Sequence, residues 1–149
     1  MGAWTVLDFG FGTRITVIFS DTPQGHFLLN KTDNTDPRDP ASHMTPISDR
    51  KIRFALVGCG RISKNHIAAI AQHSDRAELV EVCDTNPQAL QAAAEATGAT
   101  PYACLTDLLA NSRADAVILA TPSGLHPWQA IEIAQSGRHV VSEKPMATR

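Results

Sequence analysis

The chain has only three cysteines in 149 residues, Cys59, Cys83 and Cys104, and they form neither a CxxC pair nor an even set. A disulfide framework is therefore not expected, and neither is a metal site. Each cysteine lies within or beside an apolar segment, the usual setting of reduced, buried thiols in the cytoplasm. No apolar run approaches the roughly 18 residues that span a bilayer. The N-terminus also lacks a basic stretch followed by an apolar one, so neither membrane insertion nor export is expected. The 13 lysines and arginines are scattered and the formal net charge is -2, which leaves no electrostatic footprint for a nucleic acid. What is present, 43% hydrophobic and 19% charged residues, is the balance of a globular domain with a real core.

Two stretches differ in character. Residues 1 to 50 hold an alternating apolar piece, Ile15-Thr16-Val17-Ile18-Phe19, followed by the Asp-, Thr- and Pro-rich run from Asn30 to Ser48. The run reads as a linker or tail. Two strands joined through Asp21 to Gly25 are conceivable before it, although an isolated hairpin is marginal in water. The whole segment is expected to be a poorly structured extension, with Met44 a candidate start and the residues before it an upstream misread or an appended piece.

From Ile52 short apolar runs alternate with helix-length segments, the pattern of a parallel sheet covered on both faces by helices. Strands are expected near Ile52 to Val57, Leu79 to Cys83, Pro101 to Ala103, Ala116 to Ala120 and His139 to Ser142. Helices are expected from Ile62 to Gln72, with Ile67, Ile70 and Ala71 facing the sheet, and from Pro87 to Gly98, with Asn86 as cap and Leu90, Ala93, Ala94 and Thr97 inward. A short third helix carries Leu105, Leu108 and Leu109. The fourth starts at Pro127, turns Ala130, Ile131 and Ala134 inward and stops at Gly137. This is an α/β fold of the doubly wound, Rossmann type with about five strands over residues 51 to 149.

The first strand of that set runs into Gly58-Cys59-Gly60-Arg61-Ile62-Ser63, which matches GxGxxG at two glycines and has serine at the third. The first glycine allows a tight turn, the second lets backbone approach a pyrophosphate, and Ser63 is small enough to keep the next helix close; Arg61 and Ile62 lie at that helix's positive end. Such turns also occur for structural reasons and in methyltransferases. Asp84 follows the second strand about 24 residues after Gly60, near the spacing of an acid that binds an adenosine ribose. Its alternative is a turn or capping aspartate. Asp84 would repel a 2′-phosphate and no Arg or Lys follows it in the loop, so NAD is favoured over NADP. Thr121, Ser123 and His126 follow the fourth strand, at the crevice edge; the first two are candidates for the pyrophosphate or nicotinamide ribose and His126 for the nicotinamide side, or for a helix cap. The fifth strand ends in Ser142-Glu143-Lys144-Pro145. Pro145 keeps Lys144 extended, so its ammonium could orient a hydroxyl or stabilise an alkoxide, and Glu143 could accept from a ribose. By itself the tripeptide is also a common exposed turn.

In order, GCGRIS, CDTNP, ATPSGLHP and SEKPMATR resemble the family of glucose-fructose oxidoreductase, inositol dehydrogenase and their relatives, over Ile52 to Arg149. The wording GCGRISKNH, TPSGLHPWQAI and EKPMATR is most similar to bacterial UDP-N-acetylglucosaminuronate 3-dehydrogenases of surface-polysaccharide synthesis. The resemblance implies NAD at the glycine loop, hydride passing from a sugar carbon to nicotinamide, and Lys144 at the substrate. It also implies a second, mixed-sheet domain that binds the sugar nucleotide and often builds a homo-oligomer. The chain reads as the cofactor half of such an enzyme, with the substrate domain absent and catalysis by the piece alone not expected. Two alternatives stand beside it: an inositol or simple-sugar dehydrogenase of the same family, and a stand-alone NAD-binding regulatory module.

Overall fold

The computed structural model describes residues 5–8, 14–17, 47 and 49–145. Its elements are β1 (Thr5–Asp8), β2 (Arg14–Val17), β3 (Ile52–Val57), α1 (Ser63–Gln72), β4 (Ala77–Cys83), α2 (Pro87–Thr97), β5 (Thr100–Tyr102), α3 (Leu105–Asn111), β6 (Ala116–Leu119), a 3-10 turn (Ser123–Leu125), α4 (His126–Gln135) and β7 (His139–Ser142). The sheet order is β1-β2-β7-β6-β3-β4-β5. The five strands from β7 to β5 are parallel. From β3 the chain winds outward to β4 and β5, then crosses back to lay β6 and β7 on the other side of β3. The reversal between β3 and β6 creates the crevice at the carboxyl ends of the strands where doubly wound folds bind ligands.

Alternation along β3 builds two cores. Ala55 and Val57 join Leu108, Val117, Leu119, Ile133 and Val140 on the face covered by α3 and α4. Phe54 and Leu56 point the other way, onto Val82 and Ile118, with Ile67, Ile70, Leu90, Ala93 and Ala94 packed from α1 and α2. A central strand buried on both faces reads as an unbroken apolar run, which is why Phe54 to Val57 carries no polar residue.

The helix ends follow their local chemistry. The Asn86 side chain accepts from the Gln88 and Ala89 amides at 3.0 and 3.1 Å, capping α2. Gly98 closes it in the left-handed conformation, φ 71°. Two expected inward positions are corrected. Ile131 is 47% exposed while Ile133 is fully buried, because Ala130, Ile133 and Ala134 share one face at helical spacing and Ile131 is turned about 100° from Ala130. Ala71 is likewise exposed, since the apolar stripe of α1 runs through Ile67 and Ile70.

At the β7 edge, β2 adds in parallel, with Ile15 opposite Val140, and β1 pairs with β2 antiparallel. Residues 9 to 13, the turn expected from Asp21 to Gly25, Met44 and the Asn30 run to residue 46 lie outside the described residues. No helix among the described residues is long and apolar enough to cross a membrane.

Candidate functional site

Gly58 leaves β3 with φ 96°, and a Cβ there would lie 2.7 Å from the Ala120 carbonyl carbon and oxygen and 2.8 Å from the Thr121 nitrogen. The turn thus needs glycine for two reasons, its backbone conformation and the close passage of the chain leaving β6. Gly60 differs: a Cβ there would meet nothing within 4 Å. The space on that side of the loop is open, which leaves room for a pyrophosphate. Ser63, at the third glycine position, is 2% exposed and its hydroxyl donates to the Gly60 carbonyl, folding the loop onto α1. No side chain caps α1 and its first turn carries no acid, so its positive end is left for an anion. Arg61 is exposed and Ile62 is 40% exposed beside it.

Asp84 follows β4 next to the loop. One carboxylate oxygen accepts from the Cys59 amide at 2.7 Å and the other from the Asn86 amide at 2.8 Å. The turn role weighed for this residue is present in the Asn86 contact, and each oxygen keeps a second lone-pair site for a ribose hydroxyl. Burial first, and then the nearby Asp84 charge, push the Cys59 thiol up to about 11 against a weaker opposing backbone hydrogen bond at Cys83. Burial likewise pushes Cys83 up to about 12. Neither is a nucleophile at neutral pH.

Across the crevice, the Thr121 hydroxyl donates to the side-chain oxygen of Gln129 at 2.6 Å, and Ser123 opens the 3-10 turn, half-buried. His126 is 1% exposed, with Nε2 2.7 Å from the Thr121 carbonyl and Nδ1 3.1 Å from the Pro145 carbonyl. Both ring nitrogens are thus turned to backbone, and the side chain braces the loop after β6 against the loop after β7. Glu143 is fixed by its amide, which donates to Leu119 at 3.1 Å, and by its carboxylate, 2.7 Å from His66 Nε2. Lys144 is exposed at the end of this loop, and the Lys144–Pro145 peptide is cis.

The structure therefore gathers Gly58, Gly60, Arg61, Ile62, Asp84, Thr121, Ser123, His126, Glu143 and Lys144 around the carboxyl ends of β3, β4, β6 and β7. Two contributors had not been expected. His66 lies three residues after Ser63 and so on the same face of α1, a spacing visible in the sequence. Gln129 lies in α4, eight residues from Thr121, and nothing in the sequence singled it out. An open concavity of about 480 Å³ lined by Ile47, Asp49, Arg50, Lys51, Asp75 and Arg76 lies at the opposite, amino end of the strands and shares none of this chemistry. Among the described residues no cluster of three His, Cys, Asp or Glu could hold a metal ion.

A glycine turn over open space, an uncapped helix start and an acid at the end of the next strand, set at the reversal of a parallel sheet, define a dinucleotide-binding domain. The chain belongs to the Gfo/Idh/MocA oxidoreductase family with an NAD-binding Rossmann fold, whose profile matches residues 52–149. It is similar to the WlbA dehydrogenase of Bordetella pertussis, solved in complex with NADH and UDP-GlcNAcA: 80% identity, TM-score 0.67, covering 67% of this chain and 31% of that one. The WlbA dehydrogenase of Chromobacterium violaceum, solved with the same two ligands, is 64% identical with a TM-score of 0.70 over 71% of this chain and 31% of its own. Inositol 2-dehydrogenase of Rhizobium meliloti is 36% identical over 95 residues, 64% of this chain and 28% of the enzyme. The chain thus spans between a quarter and a third of the length of the relatives it matches. Its cofactor is NAD, and the glycine loop and Asp84 fit that molecule.

Proposed function

We propose that residues 51 to 149 are the NAD-binding unit of a cytoplasmic dehydrogenase that oxidises the C3 hydroxyl of a UDP-N-acetyl-hexuronate, and that residues 1 to 50 are an extension to it. The observation that carries this reading is the 80% identity to an enzyme solved with NADH and UDP-GlcNAcA, against 36% for an inositol dehydrogenase. NAD, when bound, supplies a hydride acceptor. The chain's own residues do the rest of the cofactor work: Gly60 and the start of α1 receive the pyrophosphate, Asp84 the adenosine ribose, and Thr121, Ser123 and Glu143 the nicotinamide half, with His126 bracing the loops around it. Lys144, at the crevice rim, is the group placed to orient the sugar hydroxyl and take up its developing negative charge. The sugar nucleotide, a mixed-sheet domain that binds it and a homo-oligomer built through that domain belong to the whole enzyme under this proposal.

A domain exchange tests it. Residues 52–149 replace the matching stretch of the Bordetella pertussis dehydrogenase, and NADH formation is followed with UDP-GlcNAcA. Turnover close to that of the parent, and its loss in Lys144→Ala, are expected. A folded chimera that binds NAD but leaves the sugar nucleotide untouched would overturn the substrate assignment. The same exchange into the Rhizobium meliloti enzyme addresses the inositol reading, which would be favoured by better turnover there.

A further inference from the structure

We infer that His66 is a positioning residue that holds the Glu143 carboxylate in place for the nicotinamide-side ribose of the cofactor; this rests on the NAD-binding reading above and adds a residue to it. His66 Nε2 and Glu143 Oε1 are 2.7 Å apart, with side chains only 20% and 26% exposed. An ionised carboxylate can only accept, so the ring nitrogen is the donor. The contact joins two elements that carry different parts of the crevice. His66 stands on α1, the helix whose start follows the glycine loop, and Glu143 follows β7, two strands away from β3 in the sheet.

Backbone contacts already fix the main chain of Glu143. Its amide donates to Leu119 at 3.1 Å and its carbonyl accepts from the Ser142 hydroxyl at 3.0 Å. The side chain has three further rotatable bonds, and the His66 contact restrains them. A carboxylate with about four lone-pair sites keeps the capacity for a ribose hydroxyl after one is taken. Restraining the side chain beforehand lowers the ordering cost that a ligand would otherwise meet. Lys144 is the next residue, so the same contact bears on the direction of the loop that presents it.

The test is calorimetric titration of the 149-residue chain with NAD and, separately, with ADP, which carries the adenosine half and lacks the nicotinamide ribose. The proteins are wild type, His66→Ala, His66→Gln, Glu143→Ala and the double alanine variant. His66→Ala is expected to weaken NAD roughly tenfold, the scale of one hydrogen bond, and to leave ADP unchanged. Glu143→Ala should lose as much, and the double variant no more than either. His66→Gln, whose amide nitrogen can donate, should recover most of the loss. Equal losses for NAD and ADP, additive losses in the double variant, or an undiminished NAD affinity would overturn the inference. If His66→Ala does not fold, Glu143→Ala decides: NAD binding as tight as wild type overturns it. Failure of the wild-type chain to bind NAD sinks the cofactor reading and this inference together, whereas wild-type binding that His66→Ala leaves untouched sinks this inference alone.

Discussion

The Cys59 amide donates to the Asp84 carboxylate at 2.7 Å, which ties the glycine loop after β3 to the acid that follows β4. The Asn86 amide holds the other carboxylate oxygen at 2.8 Å. Asp84 is thus oriented by two backbone donors, and the same carboxylate shapes the glycine loop. Under the proposed function the same side chain also meets the adenosine ribose.

Asp84→Ala should therefore weaken NAD binding by about tenfold or more, since charge-assisted hydrogen bonds are the strong ones. The preference for NAD over NADP should narrow, because the carboxylate that repels a 2′-phosphate has gone. Titration of both cofactors into the variant measures this. Unchanged discrimination would remove Asp84 from the ribose.

The two glycines should separate fold from function. Gly58→Ala puts a methyl group 2.7 Å from Ala120 backbone at a φ of 96°. The backbone conformation alone costs about 1–2 kcal/mol, so a loss in Tm of roughly 5–15 °C is expected. Gly60→Ala adds a methyl group where the chain has nothing within 4 Å; its Tm should stay within error while NAD affinity drops. Thermal melts with and without NAD distinguish the two.

At the amino end of the sheet, Asp115 receives Arg50 at 2.7 Å and Arg53 at 3.2 Å. Burial pushes its carboxyl up, but the hydrogen bonds from Arg50 and from the Arg53 side chain and amide outweigh that and hold it below the usual carboxylate range. A depressed folded pKa means stability that is present above the unfolded value of about 3.9 and lost as pH falls through the folded one. Asp115→Asn should cost about 1–3 kcal/mol at pH 7. Its denaturant midpoint should then approach that of wild type as the pH falls below about 4. A difference that persists undiminished at low pH would show that the ion pair is not the source.

Cys59 and Cys83, with thiols pushed up to about 11 and about 12, should be alkylated slowly by iodoacetamide at pH 8 in the native chain and quickly once it is unfolded. Mass spectrometry of the modified peptides reads both rates. Asp84→Asn removes the charge that adds to burial at Cys59, so alkylation there should quicken in that variant.

Most of the fold was legible because its signals are local. Residues Phe54 to Val57 form an apolar run too short for a helix and end at a glycine, which marks a buried strand; Asn86, Pro87 and Gly98 punctuate α2 by their own hydrogen-bonding and backbone preferences. The spacing of Gly58, Gly60 and Asp84 was readable for the same reason, since a strand-turn-helix unit is built from neighbours in sequence. The inward face of α4 was misjudged at Ile131 because apolar residues stand on both sides of the Ala130–Ile133–Ala134 stripe, and composition does not choose between Ile131 and Ile133.

By itself, then, the sequence determined the alternation of strands and helices, the glycine turn, the acid that follows the second strand and the likeness to NAD-dependent oxidoreductases. Tertiary structure alone decided what those residues touch. His66 meets Glu143 across 77 positions, Glu81 inside β4 is 1% exposed and receives the Ser112 hydroxyl and the Arg113 amide, and His126 is turned to the Thr121 and Pro145 carbonyls. The physical reason is that backbone and capping preferences act over a few residues, while the partner of a buried polar side chain is whatever group the strand order brings within about 3 Å.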